Sequence, residues 1–120
     1  MSFRFKGFRV YVDSKEFCKF CREQVRAEVT DKNLADQIQR ALNSIVLNIA
    51  EGSADNSDVE FARFLGISIR SVYETVAGFD LAESYGMVGF DLSLDIENRA
   101  EKLVKQLSAF RSSLANSHKL

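Results

Sequence analysis

An all-α fold, one antiparallel up-down-up-down four-helix bundle, follows from three features of the 120-residue sequence. Apolar residues recur every three or four positions through four separate stretches, the pattern of helices with one buried side. Helix-start signals stand before the first three stretches: Asp13-x-x-Glu16 and Ser57-x-x-Glu60 have capping-box spacing, and Thr30 or Asp31 precedes the second. Proline is absent, so nothing in the sequence forces a kink or stop inside a helix.

The first helix is expected from about Asp13. Phe17, Phe20, Cys21 and Gln24 then share one side, and Lys15, Lys19, Arg22 and Arg26 the other, at about 100° per residue. Residues 1–12 read as an extended arm, with Phe3 and Phe5 alternating with Arg4 and Lys6. The second helix carries the core stripe Leu34, Ile38, Ala41, Leu42, Ile45 and Ile49. Its last two turns, residues 44–50, are apolar nearly all round, and a helix without a polar side is buried on every side. In so small a bundle, the extra cover comes most simply from another copy of the chain.

Gly52 to Asn56 form a polar turn, after which Ser57 opens the third helix. Phe61, Phe64, Leu65, Val72, Val76, Phe79 and Ala82 line its apolar side, and Gly86 ends it beyond Tyr85. The fourth helix follows the loop Gly86–Asp91. Its Ile96, Ala100, Leu103, Leu107, Phe110 and Leu114 alternate by four and three, a seam for neighbouring helices. Residues 116–120 are expected to fray. The length fits one domain spanning residues 1–120.

Composition narrows the function classes. The net charge of −1 points to neither nucleic acid nor membrane, but residues 1–26 hold seven basic and three acidic side chains. No apolar run approaches the roughly 18 residues of a membrane span. The N-terminus MSFRFKGFRVYV lacks the apolar core of a signal peptide. Two cysteines are too few for a secreted disulfide scaffold. The expectation is a cytoplasmic protein.

Catalytic and metal chemistry find little to use. Cys18-Lys19-Phe20-Cys21 has C-x-x-C spacing, but a redox pair wants a βαβ setting and structural zinc wants four ligands. Core packing is the simpler use of both thiols. The single histidine, His118, stands in the tail, too remote to serve as base for a nucleophile. No cofactor and no metal is expected.

Two clusters remain. Ser44, Asn48 and Glu51 form one stripe beside the apolar side of the second helix, and the third carries Arg63, Arg70, Ser71 and Glu74. Pairing Glu51 with Arg70, and Asn48 with Ser71 or Glu74, would satisfy them. That makes a network fixing helix register, or the lining of a ligand site. Lys15, Lys19, Arg22 and Arg26 span about 60° of the first helix, as a solvated face or as a phosphate-binding stripe. Arg4, Lys6 and Arg9, interleaved with Phe3, Phe5 and Phe8, would extend that stripe and supply rings for base stacking.

The segment Ser44-Ile45-Val46-Leu47-Asn48-Ile49-Ala50-Glu51-Gly52 resembles the S-I-x-x-N-I-A-E-G signature of the four-helix-bundle proteins first described from intervening sequences in 23S rRNA genes. Glu60-Phe61-x-x-Phe64-Leu65 and Arg70-Ser71-x-x-Glu74 resemble that family's third-helix pattern. Where the family usually has a small residue and then R-G-S, this chain reads Ser68-Ile69-Arg70-Ser71. The resemblance implies a four-helix bundle that assembles as a ring-like homopentamer, without known catalytic activity. One branch, the accessory determinants of diversity-generating retroelements, binds nucleic acid and a reverse transcriptase through a basic surface, and is much more basic than this chain.

The leading reading is therefore a non-enzymatic, oligomeric accessory or scaffold protein, with weak RNA or DNA binding through the first helix. A protein–protein interaction module with no nucleic-acid role is the alternative. The expected partners are further copies of the chain, and then RNA, DNA or a nucleic-acid-processing protein.

Overall fold

The computed structural model describes residues 3–54 and 57–118. These form a short 3-10 helix (Arg4–Gly7) and four α-helices, α1 (Arg9–Glu28), α2 (Lys32–Gly52), α3 (Asp58–Ser84) and α4 (Phe90–His118). Each helix packs on its neighbours in sequence, and α1 also meets α4, which closes a four-sided bundle. Consequently the α1/α2 seam and the α3/α4 seam lie on opposite sides.

Neighbouring helices run antiparallel, as pairs of contacts along three of the four seams show. Arg4 meets the Ser53 carbonyl and Cys18 the Leu42 carbonyl between the α1 and α2 ends of the chain. Ser71 meets Ser44 and Gly78 meets Ile38 between α3 and α2. Asp13 meets Gln106 and Phe20 meets Arg99 between α1 and α4.

The local start and stop signals are used largely as the sequence suggests. Asp31 caps α2, its Oδ1 accepting from the Leu34 amide at 2.9 Å. Ser57 caps α3, its Oγ accepting from the Glu60 amide at 3.2 Å. The Glu60 carboxylate, however, pairs forward with Arg63. At the far end Gly86 takes φ +79°, a conformation that costs a residue with a Cβ. Its amide bonds to the Glu83 carbonyl and the Met87 amide to the Ala82 carbonyl, both at 2.9 Å. That is the double closure of a Schellman end.

The first helix departs from expectation. It begins at Arg9, not near Asp13, and residues 3–8 fold back onto the bundle instead of extending. Phe8 stands before α1 with no side-chain cap. Its ring stacks on Phe61 at 6.1 Å between centroids and meets Phe110 edge-on at 5.3 Å. Such pairs contribute about 0.5–1.5 kcal/mol each beyond simple burial. Asp13 lies inside α1, where its Oδ2 accepts from Gln106 Nε2 at 2.9 Å. At the other terminus α4 stays helical to His118, and residues 119–120 of the expected frayed tail lie outside the described residues, as do Met1 and Ser2 of the arm and Asp55 and Asn56 of the turn.

All six core positions expected on α2 are buried, together with Phe61, Leu65, Val72, Phe79 and Ala82 of α3 and Ile96, Ala100, Leu103 and Leu107 of α4. Phe64, Val76, Phe110 and Leu114 are half-buried. α2 and α3 approach each other closely at two glycines. A Cβ at Gly52 would stand 2.7 Å from Phe64 Cβ, and one at Gly78 would stand 2.5 Å from Ile38 Cγ1. Both are well inside van der Waals contact, so glycine at each point sets the distance between the helices.

Candidate interaction surfaces

The polar stripe at residues 44–51 is a register device built of small hydroxyls. Asn48 Nδ2 donates within α2 to the Ser44 carbonyl at 2.8 Å and to Ser44 Oγ at 3.0 Å. Ser44 Oγ in turn lies 2.8 Å from Ser71 Oγ on α3. One turn away, the fully buried Ser68 donates to the Ile45 carbonyl at 2.8 Å, and Thr75 donates to the Ser71 carbonyl at 2.9 Å. Buried hydroxyls without partners are costly, so this set favours one alignment of α2 on α3.

The expected ion pair between Glu51 and Arg70 is not how the helices meet. With Ser44 level with Ser71, Arg70 stands level with Ile45, about 9 Å along the axis from Glu51 at 1.5 Å per residue. Arg70 and Glu74 are exposed. Asn48 reaches Ser71 through Ser44 instead of directly. Neither Ser68 nor Thr75 was expected in this network, although their spacing of three and four around Ser71 places them on the same stripe. Gly52, the last residue of the motif, is where Phe61 and Phe64 close over α2.

Neither thiol is poised for chemistry. Cys21 is wholly buried, and Cys18 Sγ donates to the Leu42 carbonyl at 3.2 Å. Burial pushes both thiols up to about 12, so both stay protonated near neutral pH, when the thiolate is the reactive form. Among the described residues, no group of three or more His, Cys, Asp or Glu side chains stands where it could hold a metal ion.

Lys15, Lys19, Arg22 and Arg26 all reach solvent on one side of α1. None is in an ion pair among the described residues, and Lys15 Nζ sits 5.0 Å above the Tyr11 ring. The extension toward the N-terminus is not one surface with them. Arg4 Nε donates to the Ser53 carbonyl at 2.9 Å, and its guanidinium lies over Phe8 and Phe61. Arg9 pairs with Asp13 at 3.3 Å and projects about 120° round the helix from Lys15. Lys6 is exposed on the 3-10 turn. Of the rings expected for base stacking, Phe8 lies on Phe61 and Phe5 edge-on to Tyr11 at 4.8 Å, whereas Phe3 is 61% exposed.

Two grooves run along opposite sides of the bundle. The α1/α2 groove, about 370 Å³, has Leu42, Val46 and Leu47 on its floor and Lys15, Lys19 and Arg22 on its rim. No carboxylate lines it. The α3/α4 groove, about 320 Å³, has Val72, Val76 and Val104 on its floor, Glu97 and Glu101 on its rim, and Lys105 at one end. Each carries one large exposed apolar side chain, Leu47 at 62% and Tyr73 at 65% exposure. No described helix is long and apolar enough to cross a membrane.

A comparison with curated proteins returns no match. A family model described as 23S rRNA-intervening sequence protein matches residues 6–109, from the 3-10 turn to the last turns of α4. The buried serine network, the glycine under Phe61 and Phe64, and the four-helix order all fall inside that span, and the chain belongs to the 23S rRNA-intervening sequence protein family.

Proposed function

We propose that the protein is a non-catalytic accessory scaffold whose working unit is an assembly of several copies. The observation that carries this reading is Leu47, 62% exposed in the middle of the apolar segment 44–50 and continuous with the α1/α2 groove. Covering a leucine is worth about 1.5–3 kcal/mol, and a second bundle supplies that cover without new chemistry. A closed ring of five, the number the family resemblance implied, is the proposed form. The two free thiols, Cys21 buried and Cys18 half-buried, suit a reducing compartment, so the proposed location is the cytoplasm. Sedimentation of the unmodified chain at micromolar concentration should give a species several times its 13.5 kDa. A 13.5 kDa particle at that concentration would end the scaffold reading.

The line of cations on α1 favours a second reading, contact with RNA or DNA phosphates. Arg26 lies beyond the α1/α2 groove and so separates this activity from assembly. Retention of single-stranded RNA by chains whose α1/α2 groove is open should fall with salt at a log–log slope of about −3 for four phosphate contacts. Arg26→Glu should weaken retention and leave the assembly state alone. No retention by the unmodified protein at low salt rejects nucleic-acid binding, and capture of a protein that survives nuclease and high salt supports the interaction-module alternative.

A further inference from the structure

We infer that copies of this chain join head to tail, the cation-rimmed α1/α2 groove of one bundle receiving the acid-rimmed α3/α4 side of the next. The inference rests on the scaffold reading and adds which surfaces meet. Four observations lead to it.

The two grooves are opposite in sign. Lys15, Lys19 and Arg22 edge the first, and Glu97 and Glu101 edge the second. Asp80 is exposed on α3 and lies two turns from Tyr73 on nearly the same side, which adds a third carboxylate along that seam. Like charges brought together oppose association, whereas complementary ones set both partner and register. Groove to identical groove is therefore disfavoured on either side.

Both grooves also have apolar floors and an exposed apolar side chain, so each side has something to insert and somewhere to receive it. Leu47 of one bundle faces the valine floor formed by Val72, Val76 and Val104 of the other, and Tyr73 faces Leu42 and Val46. An apolar centre with charges at the edge is the usual anatomy of a specific interface.

The surfaces are large enough. The bundle measures 50 × 26 × 20 Å, so one long side offers about 1,000 Å², against roughly 800 Å² buried by each partner in a standard interface. Finally, the two seams lie on opposite sides of the four-helix square. A contact between two different surfaces leaves each copy with one free surface of each kind, and such chains either close as rings or grow as filaments.

Charge reversal tests the pairing with exposed residues only. Lys19→Glu with Arg22→Glu makes both sides acidic, and Glu97→Lys with Glu101→Lys makes both sides basic. Each double variant, confirmed as helical by circular dichroism, should sediment as a monomer where the unmodified chain assembles, with a dissociation constant raised roughly a hundredfold or more. An equimolar mixture of the two should reassemble into alternating, even-numbered species, starting with the mixed dimer, because each acidic side then meets a basic one, whereas a ring of five would keep one like-charged junction. If the double variants assemble like the unmodified chain, or the mixture stays monomeric, the head-to-tail pairing is wrong while the scaffold reading stands. A monomeric unmodified chain removes both.

Discussion

Phe61→Ala should lower the melting temperature by about 10–25 °C in a thermal melt followed by circular dichroism. Phe61 is 1% exposed and lies where the N-terminal segment, α2, α3 and α4 meet. Phe8 stacks on it from the N-terminal segment, and Phe110 of α4 meets it edge-on at 5.2 Å. The Arg4 guanidinium lies 5.5 Å from its centroid, and its ring edge fills the space above Gly52. Truncating a buried phenylalanine typically costs about 3–5 kcal/mol, a large part of the roughly 5–15 kcal/mol that holds a domain folded. The loss should also loosen the N-terminal segment, whose other ties are the Arg4 bond to the Ser53 carbonyl and the Phe8 contact with Phe110 and Phe5 contact with Tyr11. Amide exchange at Tyr11 and Val12, whose N–H groups bond to the Phe8 carbonyl, should accelerate more than exchange in the middle of α3. A fall of less than about 5 °C would mean that the aromatic cluster is not the anchor described here.

Leu47→Asp should leave the bundle intact and abolish assembly. The side chain is 62% exposed in the isolated bundle, and surface changes of this kind usually alter stability by less than about 0.5 kcal/mol. In an assembly the same position gives up the burial of a leucine, about 1.5–3 kcal/mol, and forces a carboxylate to be desolvated. The dissociation constant should rise more than a hundredfold, at about 1.4 kcal/mol per factor of ten. Equal melting curves together with a shift to the monomer in sedimentation are the expected pair of results. Retention of the assembly would separate Leu47 from the interface.

Features governed by short stretches of chain were readable in advance. Asp31 and Ser57 cap their helices because the bonded amide is only three residues away, and Gly86 ends α3 because that turn needs a positive φ. The stripe on α2 was equally plain, since burial follows the helical period. The start of α1 was not readable. Asp13-x-x-Glu16 has the spacing of a cap, but Asp13 is held by Gln106, 93 residues away, while Phe8 is fixed by Phe61 and Phe110. Likewise the line of cations on α1 followed from periodicity within one helix. The grooves, and the offset that separates Arg70 from Glu51, depend on how two helices are rotated and slid against each other. No single stretch encodes that.

The unequal sides of the bundle have a thermodynamic consequence. α3 packs extensively on both α2 and α4, whereas α1 shares much less with α2 and least of all with α4. Sub-global opening of such a fold should begin by detaching α1, the α-helix with the fewest tertiary ties. The α1/α2 groove straddles that weak seam, so an occupant there binds only the docked form. At a hundred times its dissociation constant, such an occupant shifts the opening equilibrium by about 2.7 kcal/mol. Occupancy and closure of this seam are thus linked functions: each tightens the other, and the helix that carries the cations is the one whose attachment responds.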